Sequence, residues 1–275
     1  MNGRHRGIAS EEIEVEGESA VDSAIAAYPS LKDRVVLVTG GGSGIGEEIV
    51  RQFARQGSRV AFLDINVSAS VALVRALAVE GRTAIFRECD LTNIPALRAA
   101  IKAIEDELGP ITILINNAAN DQRHPMEDVT PEYWDDRIAV NVKHQFFAAQ
   151  AVAPGMAAAG GGAIVNLGSA SWMLGQGGMP CYTTAKSAVL GLTRSLATDL
   201  GPKNIRVVCV VPGWIMTQRQ IDNWLTPEGE ADLMKNQCLK RKLYPSDIAR
   251  PVLFFASDEA AGCTAQAYVI DAGWL

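Results

Sequence analysis

Tyr182 and Lys186 are spaced so that a helix would place both side chains on one face, one turn apart. They belong to the stretch CYTTAK, residues 181–186. An ammonium group near a phenol favours the phenolate, so such a pair can make a general base from a side chain that is normally protonated at neutral pH. The alternative is a tyrosine and a lysine on a solvated helix face, a spacing that is common by accident. The rest of the chain has to decide between them.

The elements that must position this pair follow an alternating α/β pattern. Nearly continuous apolar runs, which are typical of strands buried on both faces, are separated by longer helical patterns. This predicts one doubly wound parallel sheet of the Rossmann type, with helices on both faces, over residues 31–275. Residues 1–30 are acidic and are predicted to be a mobile extension. The predicted strands are 34–40, 59–64, 83–89, 111–117, 162–169, 205–213 and 267–271, and the predicted helices are 44–57, 67–81, 94–108, 131–153 and 182–200.

A glycine-rich loop lies between the first predicted strand and the first predicted helix. In TGGGSGIG, residues 39–46, the glycines Gly40, Gly44 and Gly46 follow the pattern TGxxxGxG. Such a loop allows a tight turn, close backbone approach to a pyrophosphate and amide donors at a helix N-terminus. A glycine-rich loop alone is weak evidence, but its position after the first strand predicts a dinucleotide site.

Asp64 ends the second predicted strand, about twenty residues after that loop. A carboxylate there hydrogen-bonds ribose hydroxyls and repels a 2′-phosphate. Neither the loop nor the residues just after Asp64 contain an arginine or lysine that could hold such a phosphate. We therefore expect NAD as the cofactor, with some use of NADP left open.

Three more polar elements follow predicted strands, at the edge where open α/β sheets bind ligands. Asp90 follows the third strand, NNAAN (116–120) the fourth and GSAS (168–171) the fifth. Together with the glycine loop, Asn141 in AVNV and the Tyr182–Lys186 pair, they occur in the order and spacing of the short-chain dehydrogenase/reductase family. The sequence resembles that family over residues 31–275. Ala119 stands where the family usually has glycine, and TTAK replaces a commoner ending in Ser-Lys.

The resemblance implies a role for each catalytic residue. Tyr182 would be the base, and Lys186 would lower its pKa and hold the nicotinamide ribose. Ser169 would orient the substrate hydroxyl, and Asn141 would fix a water that connects Lys186 to solvent. The implied cofactor-binding residues are Gly40, Ser43, Gly44, Ile45, Gly46, Asp64, Ile65, Asp90, Leu91, Asn117, Tyr182, Lys186, Pro212, Gly213, Ile215 and Thr217.

Shorter stretches resemble the bacterial aldose 1-dehydrogenases that act on D-xylose, L-arabinose and related sugars. These are NNAANDQRH (116–124), SASW (169–172), LTPEGE (225–230), QCLK (237–240) and IDAGW (270–274). The implied reaction is oxidation of an anomeric hydroxyl to an aldonolactone, beneath a mobile lid at 214–239. The expected substrate residues are Asn120, Ser169, Ser171, Trp172, Gln176, Tyr182, Trp214 and Gln218.

Several of these side chains have a second interpretation. Asp121 and Arg123 either touch the sugar or form a salt bridge within their loop. Trp172 and Trp214 either touch the sugar or pack against a lid or a second subunit. Two other functions also stay open: reduction of a ketone or 3-oxoacyl chain with NADPH, and dinucleotide binding without catalysis.

The composition limits which kinds of binding partner and ligand are expected. The net charge is −6 and there is no basic block, so a nucleic acid is not expected. No run of about 18 apolar residues is present, so no membrane span is expected. Three histidines without a ligand spacing predict no metal site, and five scattered cysteines fit a reducing cytoplasm. The apolar C-terminus with Trp274 suggests burial against another subunit. The family resemblance implies a homotetramer with contacts along 131–153 and 182–200.

Overall fold

Seven strands form a single parallel sheet in the computed structural model, which describes residues 26–275. Their order across the sheet is β3-β2-β1-β4-β5-β6-β7, and every neighbouring pair is parallel. The predicted fold class is confirmed. The strands are β1 (Val35–Thr39), β2 (Arg59–Asp64), β3 (Ala84–Glu88), β4 (Ile113–Asn116), β5 (Gly162–Leu167), β6 (Ile205–Pro212) and β7 (Ala267–Ile270).

Helices cover both faces of this sheet because its strands are apolar on both faces. In β1, Val36 and Val38 face a core that includes Phe53, whereas Val35 and Leu37 face a second core on the other side. The helices are α1 (Gly44–Arg55), α2 (Val67–Val79), α3 (Ile94–Leu108), α4 (Pro131–Ile138), α5 (His144–Ala158), α6 (Pro180–Leu200), α7 (Gln218–Asn223), α8 (Pro227–Asn236) and α9 (Pro245–Ala256).

The chain reverses its direction across the sheet between β1 and β4. Strands β2 and β3 extend the sheet on one side of β1, and β4 to β7 extend it on the other. Such a switch point opens a crevice at the carboxyl ends of the strands, where the two neighbouring loops leave in opposite directions. The glycine-rich loop follows β1 and the NNAAN loop follows β4, so both reach this crevice.

Three helical segments differ from the sequence-based predictions. The helix predicted at 131–153 continues to Ala158 and is divided by a π-helical turn at Ala139–Lys143. The segment predicted as a lid contains two helices, α7 and α8, and α9 is a helix in addition to the five predicted from the sequence. Residues 1–25 of the predicted N-terminal extension lie outside the described part of the chain. Within the rest of that extension, Tyr28 N donates to Gln56 Oε1 (2.8 Å) and Ser30 Oγ to Glu259 Oε2 (2.9 Å).

Backbone hydrogen bonds hold both ends of the lid, residues 214–239. At its start, Met216 N donates to Leu243 O (2.7 Å). At its end, Cys238 N and Leu239 N donate to the C-terminal tail, at Gly273 O (3.1 Å) and Ala272 O (2.9 Å). The tail is itself fixed by the buried Asp271 carboxylate, which accepts hydrogen bonds from the amides of Gly273 and Leu275 (both 2.8 Å). The lid and the end of the chain are therefore joined.

Candidate active site

A cavity of about 860 Å³ occupies the crevice at the carboxyl edge of the sheet. All of the predicted cofactor-binding residues line it, from the glycine-rich loop to Thr217. The loops after β1, β2 and β3 form one end, and those after β4, β5 and β6 form the other together with the start of α6. One continuous space therefore has room both for a dinucleotide and for a small substrate beside it.

The glycine-rich loop is packed so tightly that side chains are excluded from it. A Cβ atom on Gly46 would lie 1.9 Å from Gly40 O, and one on Gly40 would lie 2.8 Å from Ala118 Cα. Gly40 also has a φ of +65°, which favours glycine. Asn117 fixes the turn from the next strand, because its Nδ2 donates to Thr39 O (3.0 Å) and Gly40 O (2.9 Å). The bare backbone and the N-terminus of α1 fit a pyrophosphate.

The carboxylate of Asp64 is oriented by two backbone amides. Oδ2 accepts from Gly42 N and Oδ1 accepts from Asn66 N, both at 2.8 Å. Asp90 is held in a similar way, since its Oδ1 accepts from the amide (2.9 Å) and hydroxyl (2.8 Å) of Thr92. Among the described residues, those lining this end of the cavity include no arginine or lysine. This end therefore fits a ribose with free hydroxyls better than one that carries a phosphate.

Ser169, Tyr182 and Lys186 meet at the other end of the cavity. Ser169 follows β5 after one intervening glycine, and its Oγ lies 2.9 Å from Ser171 Oγ. Tyr182 is in the first turn of α6 and is half-buried. Lys186 follows one turn later, with only 2% of its surface exposed, and its Nζ lies 5.8 Å from the centroid of the Tyr182 ring. The two side chains thus share one face of the helix, as the spacing predicts, and both line the cavity.

Comparisons with known proteins agree with this geometry. A family model described as enoyl-(acyl carrier protein) reductase matches residues 40–275. Over 249 residues the chain is 52% identical to the D-xylose 1-dehydrogenase of Caulobacter vibrioides, covering 90% of this chain and 98% of that protein. It is 50% identical over 247 residues to the "Probable galactose dehydrogenase GalD" of Rhizobium meliloti, covering 90% of this chain and 96% of that one. The chain belongs to the short-chain dehydrogenase/reductase family. A solved family structure, a 7α-hydroxysteroid dehydrogenase with NADH and 7-oxo glycochenodeoxycholic acid, matches with a TM-score of 0.85 and 33% identity, covering 89% of this chain and 96% of that chain.

The electrostatics of the tyrosine in this short-chain dehydrogenase/reductase differ from the sequence-based prediction. The pKa of the Tyr182 phenol is raised to about 12, chiefly by burial and to a smaller extent by the charge of Asp121, although the hydrogen bond with Ser169 and the charges of Arg123 and Arg219 lower it. The net direction is opposite to the lowered pKa that the sequence predicts, because burial dominates, and the cations that lower the pKa are the two arginines. A lowering of this pKa by Lys186 stays a prediction. The positive charge of a bound oxidised nicotinamide would act in the same direction as these arginines.

Lys186 is held beneath the cavity as a buried ammonium. Its Nζ donates to Leu167 O at 2.7 Å, at the end of β5. Burial lowers its pKa to about 8, although the nearby Cys209 and Asp121 act in the opposite direction. Lys186 is therefore mostly charged at neutral pH, but its pKa lies much closer to neutral pH than that of an ordinary lysine.

Asn141 lies outside the cavity lining, fully buried in the π-helical turn. Its Oδ1 accepts from Asn120 N (2.8 Å), and its Nδ2 donates to Asn120 O (3.1 Å) and Arg137 O (2.9 Å). All of these bonds are to backbone atoms, so the side chain fixes the loop after β4. A role for Asn141 in holding a water near Lys186 stays a prediction.

The predicted substrate residues are mostly brought together. Asn120, Ser171, Gln176, Trp214 and Gln218 line the same cavity as Ser169 and Tyr182. Trp172 does not line it, and instead ends a 3₁₀ turn at Ala170–Trp172.

The salt bridge considered within the loop after β4 is replaced by one to the lid. Asp121 pairs with Arg219 of α7, with Oδ1 3.3 Å from Nε. Arg123 instead places its guanidinium carbon 5.1 Å from the centroid of the Trp224 ring, and its Nη1 lies 3.5 Å from Met179 Sδ. Both loop residues therefore contact parts of the structure that are distant in sequence.

Three residues that are not among the predicted site residues also line the cavity: Trp274, Asp232 and Asn236. Trp274 is half-buried within its own chain, and its burial against another subunit stays a prediction. Asp232 and Asn236 lie on α8, one turn apart. The sequence carries no signal that the C-terminus returns to the site, and the polar lid gives no strong helical period.

The described residues add two observations about other functions. Within residues 26–275, no group of three or more histidine, cysteine, aspartate or glutamate side chains is arranged to hold a metal ion. No helix in the same range combines the length and hydrophobicity needed to cross a membrane.

Proposed function

We propose that the protein oxidises the anomeric hydroxyl of an aldose to an aldonolactone, using NAD. The main support is that Ser169, Tyr182 and Lys186 line the same cavity as the glycine-rich loop and the Asp64 carboxylate, which is oriented by a backbone amide. The aldose assignment is supported by the relatives named D-xylose 1-dehydrogenase and galactose dehydrogenase, at 52% and 50% identity. L-arabinose, D-xylose and related sugars are the expected substrates.

The residues at the catalytic end have separate roles in orienting the sugar and in removing a proton from it. Ser169 and Tyr182 hold the anomeric hydroxyl between them, and Tyr182 takes its proton. NAD, when bound, supplies the acceptor for the hydride that leaves the same carbon. Lys186 contributes positive charge beneath the site and a donor for a ribose hydroxyl. General base catalysis of this kind contributes roughly 10²–10⁴-fold to the rate. The lactone then opens in water to the acid.

The remaining lining fits a polyhydroxylated substrate. Ser171, Gln176, Asp232 and Asn236 offer hydrogen-bonding groups around the cavity, and the indoles of Trp214 and Trp274 offer apolar surface. A site that hydrogen-bonds hydroxyl groups discriminates strongly against molecules that lack them, because its own polar groups would stay unpaired. We therefore expect a sugar in preference to a simple alcohol.

NAD is favoured over NADP by the charges at the adenosine end. The carboxylate of Asp64 would meet a 2′-phosphate there, and among residues 26–275 the lining of this end offers no cation to offset it. The comparisons establish a dinucleotide-binding family, and the structure matched at 33% identity contains NADH. The choice between the two dinucleotides is our inference from Asp64.

The deciding experiment follows the absorbance of the reduced cofactor with a panel of aldoses, in parallel with NAD and NADP. We expect turnover of at least one pentose or hexose, with NAD preferred, and an acidic product. The family model is described as an enoyl-(acyl carrier protein) reductase. Activity only with NADPH and a ketone or an acyl thioester would therefore replace the proposal with a reductase function. Cofactor binding without turnover of any substrate would favour a non-catalytic dinucleotide-binding protein.

We also propose a homotetramer in the cytoplasm. Trp134 of α4 and Phe146 of α5 leave 38% and 40% of their surface exposed, which fits contact with a second copy along these helices because aromatic side chains are enriched at subunit interfaces. Size-exclusion chromatography with light scattering tests the assembly, and a monomeric mass would contradict it.

A further inference from the structure

The lid meets the loop after β4 through one carboxylate. Asp121 Oδ1 lies 3.3 Å from Arg219 Nε, and Asp121 Oδ2 accepts a hydrogen bond from Gln220 Nε2 at 2.6 Å. Both partners are on α7, whereas Asp121 follows β4 at the catalytic end of the cavity. Only 20% of the Asp121 side chain is exposed. Both of its oxygens are therefore engaged by the lid.

A second set of contacts extends from the same two lid residues. Gln220 Oε1 accepts from Trp214 Nε1 at 3.0 Å, and Arg219 Nη2 donates to Asn120 Oδ1 at 3.4 Å. Trp214 and Asn120 both line the cavity. The position of α7 is thus linked to two predicted substrate residues, to Trp214 within the lid and to Asn120 in the loop after β4.

We propose that Asp121 is a positioning residue, whose ion pair with Arg219 holds the lid over the active site and delivers a positive charge to the catalytic tyrosine. The inference rests on the proposed function, because it assigns a role in that reaction. It also replaces direct sugar binding by Asp121, one of the two roles that the sequence leaves open.

The charges around Tyr182 give the ion pair its second effect. They come from Lys186 one turn along α6, from Asp121 and Arg123 after β4, and from Arg219 on α7. Asp121 raises the pKa of Tyr182, and Arg219 lowers it. Were α7 to move away, Asp121 would stay beside the phenol without its partner, and the contribution of Arg219 would be lost. The loss of Arg219 is the change that raises the pKa of the phenol, so closure of the lid lowers this pKa and increases the fraction of Tyr182 present as phenolate.

A double-mutant cycle with Asp121→Asn and Arg219→Gln tests this role. Asp121→Asn keeps an acceptor for Gln220 but removes the charge. We expect each single variant to raise KM for the sugar about three- to tenfold, and the double variant to be little worse than either, because they remove the same interaction. Were Asp121 to bind the sugar directly, the two effects would multiply, and the proposal would be overturned.

The pH profile of kcat separates this role from a purely structural one. At saturating sugar the lid is closed, so Arg219→Gln should move the activity profile to higher pH and Asp121→Asn to lower pH. A structural contact alone predicts no such opposite shifts. The matched control is Glu230→Gln, which removes another ion pair of the lid, 2.7 Å to Lys242, at a residue that does not line the cavity. It should leave the profile unchanged.

A readout without turnover keeps this inference separate from the sugar assignment. Hydrogen exchange of α7 amides, measured in the presence of NAD, should be faster in Asp121→Asn and Arg219→Gln than in the wild type, and unchanged in Glu230→Gln. Equal exchange rates in all four proteins would overturn the role of Asp121, even in an active aldose dehydrogenase. Faster exchange without oxidation of any aldose would instead contradict the proposed function and leave the ion pair supported.

Discussion

Replacement of Lys186 by methionine should abolish activity and change how stability depends on pH. Lys186 has 2% of its surface exposed, and burial lowers its pKa from the ordinary 10.5 to about 8. Because the folded-state pKa is the lower one, the unfolded chain binds more protons between these two values. The stability of the wild type should therefore rise with pH from about 8 to 10.5, as the penalty for burying the ammonium disappears.

The size of this effect follows from the pKa difference. Each pKa unit corresponds to about 1.4 kcal/mol, so the shift from 10.5 to about 8 costs the folded state about 3 kcal/mol at neutral pH. Methionine has a similar length and carries no charge, so the variant lacks this penalty at every pH. It also loses the hydrogen bond to Leu167 O, which costs about 1–3 kcal/mol. That second loss does not depend on pH.

The assay is urea unfolding of both proteins at several pH values from 7 to 10.5. We expect the free energy of unfolding of the variant, relative to the wild type, to fall by about 3 kcal/mol across this range. Lys203→Met, at an exposed position on the turn after α6, is the control and should show no such trend. Parallel stability curves for the wild type and Lys186→Met would refute the buried, destabilised ammonium.

Four further changes test other parts of the site. Tyr182→Phe should keep NAD binding, measured by fluorescence titration, and lose turnover by about 10²–10⁴-fold; near-normal turnover would end its assignment as the base. Asp64→Ser should raise the ratio of NADP to NAD activity about tenfold or more, and an unchanged ratio would contradict the role of the carboxylate. Gly46→Ala places a methyl group 1.9 Å from Gly40 O, so calorimetric titration should show weakened NAD binding, and wild-type affinity would disprove the tight cradle. Removal of residues 274–275 opens the cavity wall at Trp274 and should raise KM for the sugar more than KM for NAD; equal effects would argue against a substrate-side wall.

The sheet and the catalytic end were predictable because their signals are local. Strands buried on both faces must be apolar throughout, and in a parallel sheet their carboxyl ends share one edge. The convergence of Ser169, after β5, with Tyr182 and Lys186, on α6, can therefore be predicted before the loop conformations are known. The order and spacing of the motifs then indicate the family and the roles of the site residues.

The tyrosine's electrostatics could not be predicted from the same stretch. Lys186 is visible in the sequence, whereas the burial that dominates the pKa of Tyr182 and the arginines that oppose it come from distant segments. Arg219 lies 37 residues after Tyr182 in the sequence. A pairwise spacing shows which groups can meet, but the surrounding dielectric depends on the whole fold.

The lid shows a different limit. Its two helices are short and polar, so hydrophobic periodicity does not reveal them, although Thr226 followed by Pro227 is a typical helix start. The π-helical turn that buries Asn141 has no sequence signature at all. Neither does the return of Trp274 to the cavity, which depends on the Asp271 carboxylate holding the last residues in place.

The union of the chain's end with the lid has a practical consequence for handling the protein. Leu275 N donates a hydrogen bond to the Asp271 carboxylate, and the carbonyls of Ala272 and Gly273 accept hydrogen bonds from the amides of Leu239 and Cys238. A purification tag or fluorescent fusion appended after Leu275 would act on the same backbone that holds the end of the lid, whereas the described contacts at the other end of the chain begin at Ala26. Affinity handles and surface immobilisation for kinetic work therefore belong at the amino terminus.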